Sequence, residues 1–115
     1  MKAISFVHKE NLSKALASAA YGVLSTFKRG KVSYVSFART ITRYCDCLPN
    51  PGENMMKDIG IFASDSPVSV DGAFLEVADY KVLNESSEVD CMLQVQEAKA
   101  LGIKGDVKPK ITTIS

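Results

Sequence analysis

Two thiols stand one residue apart in the sequence Cys45-Asp46-Cys47, within a stretch rich in turn-forming residues. Thiolate sulfur is a soft ligand that suits zinc, copper(I) and iron–sulfur clusters. A disulfide between cysteines this close would form a small, strained ring, so a reduced or metal-bound pair is expected. The candidate metal ligands are therefore Cys45, Cys47 and, further along the chain, the carboxylate of Asp58.

A complete metal site is difficult to assemble from these residues. The sequence contains three cysteines and one histidine, whereas a structural zinc site normally takes four ligands. Cys91 stands beside Met92 and Leu93, an apolar context that favours a small core residue. Coordination of a metal ion by one chain alone is therefore disfavoured. A metal site shared between chains, or one completed by further segments, stays open. The competing interpretation is that the two loop thiols only fix the turn.

A short apolar run followed by helix-capping residues forms a second candidate site. The run Ile59 to Ala63 is typical of a strand buried on both faces, and Ser64 to Pro67 follows it directly. Ligands of open α/β sheets bind beyond the carboxyl ends of the strands, where a helix N-terminus attracts anions. The cofactor-binding candidates are Ser64, Asp65, Ser66 and Asp71. The plainer interpretation is that Asp65 or Ser66 caps the helix, since the two carboxylates would repel phosphate.

Carboxylates are the third group of candidates. Asp46, Asp58, Asp65 and Asp71 would suit a hard cation such as Mg²⁺ if the fold brought them together. Asp71 falls in the second predicted turn of the helix, where burial would raise its pKa and make it a candidate acid or base. Aspartates in caps and turns are common on protein surfaces, so a structural role is the alternative.

The same segment resembles part of a known family. The matching positions are Ile41-Thr42, Cys45-Asp46-Cys47, Asp58-Ile59-Gly60-Ile61, Ala63-Ser64, Pro67-Val68 and Val70-Asp71. Their pattern is similar to the C-terminal segment of the family called domain of unknown function 362, whose members are often described as iron–sulfur-centre proteins. The resemblance implies an iron–sulfur cluster or another metal and a redox-linked accessory role. It also implies that residues 1–115, one domain, correspond to a C-terminal portion of a larger protein.

Length and composition limit the classes of protein to consider. The chain has 115 residues, of which 46% are hydrophobic and 23% charged, and a net charge of +1. These values are typical of one globular domain, and the balanced charge argues against nucleic acid as a partner. No apolar run approaches the roughly 20 residues of a membrane span, so no membrane is expected. The first residues lack the apolar core of a signal peptide, which favours a cytoplasmic location.

Hydrophobic spacing predicts the elements that position these residues. The predicted helices run from about His8 to Lys28 and from about Val89 to Leu101, the latter ending at Gly102, and a further helix between them has Pro67 at or near its first turn and an apolar stripe from Val70 to Ala78. The other predicted elements are strands at 31–38 and 59–63, a surface loop at 41–57, a break at 84–87 and an edge strand at 107–114. Helices that alternate with short apolar strands predict an α/β fold with a small, mainly parallel sheet packed by amphipathic helices.

A sheet of two or three strands is thin, and it would leave apolar helix surface uncovered. We therefore expect a homo-oligomer or another protein partner. Two further functions stay open beside the metal-linked role. One is a non-catalytic structural or self-association module. The other is a small-molecule binding module that uses the helix N-terminus at Ser64 to Pro67. The sequence does not specify a reaction.

Overall fold

The computed structural model describes residues 9–45 and 47–114. The elements are α1 (Lys9–Leu24), β1 (Tyr34–Ala38), β2 (Gly60–Ser64), α2 (Pro67–Val77), α3 (Tyr80–Ser87) and α4 (Met92–Leu101). The first helix ends at Leu24 and not at the predicted Lys28, and its predicted first residue, His8, lies outside the described residues. No helix in the described ranges is long and apolar enough to cross a membrane.

The sheet consists of β1 and β2 paired antiparallel, with Tyr34 opposite Ser64 and Ala38 opposite Gly60. The prediction of a mainly parallel sheet is therefore wrong. Parallel neighbours need a crossover connection, which usually contains a helix. The described residues between the two strands contain no helix, so the chain turns back and pairs with itself directly. All helices precede or follow this hairpin in the sequence.

The core lies between α2 and α4 on the inner side of the sheet. Its buried members are Val68, Leu75, Val95 and Ile103. The ring of Phe62, on the inner face of β2, meets the ring of Phe74 edge-on with 6.1 Å between centroids. Helix α1 packs against α4. The sheet therefore contributes one face to the core, and the helices supply the rest.

The ends of the helices follow local sequence signals in part. Pro67 stands in the first turn of α2, and Gly102 ends α4 in a left-handed conformation with φ 106°, as predicted. The predicted break at 84–87 is wrong, because these residues complete α3, whose C-cap residue Glu88 has φ 59°. The edge strand predicted at 107–114 does not form in the described part of the tail.

Candidate functional site

The long connection between the strands continues the hairpin away from the sheet. The Met55 N–H donates to the Ile41 carbonyl at 2.7 Å, and the Tyr44 N–H donates to the Pro51 carbonyl at 3.1 Å. These pairs hold the two sides of the connection together beyond the end of β1. The connection therefore projects from one end of the sheet and does not fold back along β2.

Cys45 and Cys47 lie near the tip of this projection, and both are exposed. The Cys47 N–H donates to Cys45 Sγ at 3.3 Å, and Asp46 between them lies outside the described residues. The projection leaves the sheet where Ala38 pairs with Gly60, whereas Ser64 stands at the other end of β2. About 13 Å of strand thus separates the base of the projection from Ser64. The hairpin keeps the thiols and the strand-to-helix junction apart.

Asp58 lies at the base of the projection and stabilises the chain where it leaves β1. Its carboxylate accepts the Thr40 N–H at 2.7 Å, and its other oxygen is 3.6 Å from Arg39 Nε. Thr40 has a left-handed backbone with φ 49°, so this hydrogen bond supports an unfavourable conformation. These contacts explain the carboxylate at this position without a metal ion.

A metal held by one chain does not fit the donor atoms that the structure describes. Within residues 9–45 and 47–114, no three histidine, cysteine, aspartate or glutamate side chains are grouped so that they could hold an ion. The iron–sulfur or metal role stays a prediction that depends on the resemblance. Metal analysis of protein purified without oxygen tests it.

The N-terminus of α2 is covered by a later segment of the same chain. Ser66 is 4% exposed, and its Oγ accepts the Ser69 N–H at 3.2 Å while it donates to the Lys104 carbonyl. The two segments are so close that a Cβ built on Gly105 would overlap the Ser66 hydroxyl. The first turn of α2 therefore binds its own chain at the place where the sequence suggested an anion.

Ser64 and Asp65 lie at the edge of this junction. Ser64 Oγ accepts the Ser66 N–H at 3.1 Å, which fixes the turn between β2 and α2. Asp65 is exposed and lines a cleft of about 340 Å³ together with Lys28 and Lys104. Arg29 lines the cleft as well, so its wall carries three cations against one carboxylate, a balance that favours an anion over a cation.

Asp71 lies apart from the other candidates. Desolvation by its neighbours raises the pKa of its carboxyl group, although the residue keeps an exposed surface. It lines a cavity of about 290 Å³ whose wall includes Cys91. The structure thus divides the predicted site residues into three places: the projecting loop, the strand-to-helix junction and this cavity.

The outer face of the sheet is a feature that the sequence-based candidates do not include. Alternation along the strands directs Val35, Phe37, Ile61 and Ala63 away from α2. Val35, Phe37 and Ile61 are 59%, 65% and 62% exposed. Antiparallel sheets with one solvated face normally carry polar residues there. The prediction that the run at 59–63 is a strand buried on both faces is therefore wrong, because Ile61 and Ala63 on the outer face of β2 are exposed.

Comparisons with known protein families, curated proteins and solved structures found no match to this chain. The relation to domain of unknown function 362 therefore stays a prediction.

We expect Cys91 to react with N-ethylmaleimide several-fold more slowly than Cys45 and Cys47. Cys91 is half-buried beside α4, and desolvation raises the pKa of its thiol, so less of the reactive thiolate is present near neutral pH. Timed labelling followed by peptide mapping measures the three rates. The rates should converge in denaturant, because the difference comes from folding. Fastest labelling at Cys91 would contradict the placement of this thiol as half-buried and of Cys45 and Cys47 as exposed.

Proposed function

We propose that this chain is a non-catalytic association module whose outer sheet face docks against a second copy of the chain. One observation supports the proposal most strongly: Val35, Phe37 and Ile61 form an exposed apolar surface on a regular element. Isolated apolar residues are common on protein surfaces, but a face with no polar position indicates an interaction site.

The register of the sheet makes this surface continuous. Phe37 pairs with Ile61 across the strands, and Val35 pairs with Ala63 on the same face. Directly opposed side chains are about 5 Å apart at their Cβ atoms and contact each other. The hairpin already packs one face against α2, and covering its outer apolar face would stabilise it further by removing that surface from water.

The chemistry of the face favours an identical chain over a charged partner. Its four outward positions carry no charge, and the net charge of +1 provides little long-range attraction to an acidic or basic surface. Two identical hairpins related by a twofold axis can stack their apolar faces about 10 Å apart, as sheets do in sandwich folds. Twofold dimers are also the commonest symmetric assemblies.

The size of the surface predicts a weak dimer. Three partly exposed side chains bury only a few hundred Å² per copy, against about 800 Å² per partner in a standard interface. We therefore expect a dimer that dissociates on dilution within the micromolar range or above.

Substitution of Phe37 by threonine is expected to shift the chain to monomer. Threonine keeps strand propensity but removes the largest apolar side chain of the face. Val23→Thr is the matched control, because Val23 is 60% exposed on α1, in another part of the fold. Light scattering after size-exclusion chromatography, from about 10 µM to about 1 mM, measures the mass. A wild-type monomer throughout this range, or equal weakening by both substitutions, would exclude the proposed interface.

A further inference from the structure

The cavity beside Asp71 is independent of the sheet face and has the features of a ligand site. Its volume is about 290 Å³, and its apolar wall includes Leu75, Leu83 and Val95. A smaller cavity of about 60 Å³ adjoins it and shares Asp71, Gln94 and Val95. The two cavities lie where α1 covers α2 and α4 incompletely. Apolar space of this kind, lined by a few polar groups, is typical of small-molecule sites.

Two polar groups of the wall, Ser87 and the Cys91 N–H, are already engaged in hydrogen bonds. Ser87 Oγ donates to the Leu83 carbonyl at 2.8 Å and to the Val89 carbonyl at 3.2 Å. The Cys91 N–H donates to Asn84 Oδ1 at 2.7 Å. These bonds hold the end of α3 against the start of α4, so this part of the wall is fixed before any ligand binds.

Three polar side chains of the wall, Ser13, Asp71 and Gln94, have no hydrogen bond to any residue in the described ranges, and Asp71 is the charged one among them. Its carboxylate has no hydrogen bond or ion pair with any residue in the described ranges, and only desolvation affects its pKa. An acceptor beside an apolar wall gains more from a hydrogen-bond donor than the same group in water. Because its oxygens are charged, Asp71 is the strongest hydrogen-bond acceptor that the wall of the cavity offers.

We propose that this cavity binds a small, neutral ring compound that carries one N–H or O–H group, and that Asp71 accepts the hydrogen bond. An apolar cavity of about 150 Å³ is enough for benzene, so about twice that volume fits two fused rings. The carboxylate repels anionic compounds, and the apolar wall disfavours charged ligands in general. Indole is a suitable probe, and 1-methylindole is its matched control because it lacks the N–H donor.

Occupation of the cavity should protect Cys91 from alkylation. Cys91 lines the cavity, whereas Cys45 and Cys47 lie on the projecting loop and serve as internal references. Saturating indole is expected to slow the N-ethylmaleimide reaction of Cys91 several-fold and to leave the loop cysteines unchanged. Shifts of the Gln94 and Val95 amide resonances give a second measurement that does not depend on thiol reactivity.

Replacement of Asp71 by alanine tests the role of the carboxylate. The wild type should bind indole about tenfold more tightly than 1-methylindole, the effect of one hydrogen bond to a charged acceptor. Asp71→Ala should remove this preference, and Glu76→Ala, at an exposed position of the same helix, should keep it. Absence of both protection and amide shifts, equal slowing of all three cysteines, or an unchanged preference in Asp71→Ala would overturn the proposal. None of these outcomes depends on dimerisation.

Discussion

A methyl group added at Gly72 is expected to destabilise the fold by about 3 kcal/mol, although alanine stabilises most helix interiors. Gly72 is buried in α2 where residues 106–107 cross the helix. A Cβ at this position would overlap the Val107 carbonyl oxygen and lie 2.9 Å from its carbonyl carbon. A backbone carbonyl cannot rotate aside as a side-chain end can. Either α2 or the crossing segment must therefore move.

Gly22→Ala is the matched control for this substitution. Gly22 also lies within a helix, α1, but a Cβ built there has no neighbour within 4 Å. Alanine should stabilise the chain at this position by about 0.5–1 kcal/mol. Urea unfolding in one buffer gives both free energies. We expect opposite signs, and a gain in stability from Gly72→Ala would mean that the segment does not cross α2 at this residue.

Replacement of Ser66 by alanine is expected to reduce the free energy of unfolding by about 2 kcal/mol. The Ser66 hydroxyl makes two hydrogen bonds from a buried position, one from the Ser69 N–H and one to the Lys104 carbonyl. Alanine removes the cap of α2 and leaves the carbonyl group without this donor. The substitution therefore weakens both the helix start and the attachment of the C-terminal segment.

Ser18→Ala provides the comparison for Ser66. Ser18 is exposed on α1, so its replacement should change stability by no more than about 0.5 kcal/mol. Both variants are measured by thermal and urea unfolding. Equal stability of the two variants would show that Ser66 does not connect α2 to Lys104.

The sequence alone predicted those helix ends that depend on the backbone preference of a single residue. Pro67 in the first turn of α2 and Gly102 after α4 act through their own backbone preferences, so the sequence locates these helix ends. Strand direction does not have such a local signal. It depends on whether the connection contains a crossover helix, and the described part of 39–59 contains none.

The relative positions of the candidate site residues also depend on long-range pairing, which the sequence does not show. Cys45 and Ser64 are near each other in the sequence, but antiparallel pairing places their segments beyond opposite ends of β2. The cavity at Asp71 shows the converse. Residues of α1, α2, α3 and α4 that are distant in the sequence come together around it. Helical periodicity identifies apolar faces, but it does not show where two faces leave space between them. For this reason, the sequence predicted Cys91 as a small core residue and not as part of a cavity wall.

Isotope-filtered NMR on a mixture of ¹³C-labelled and unlabelled chains tests association through the outer sheet face most directly. At a concentration where light scattering gives a dimer, we predict intermolecular contacts between the Phe37 ring and the methyl groups of Val35 or Ile61. The competing apolar surface is on α1, where Leu12 and Leu16 are also exposed. A dimer with intermolecular contacts only from Leu12 and Leu16 would contradict the proposed interface.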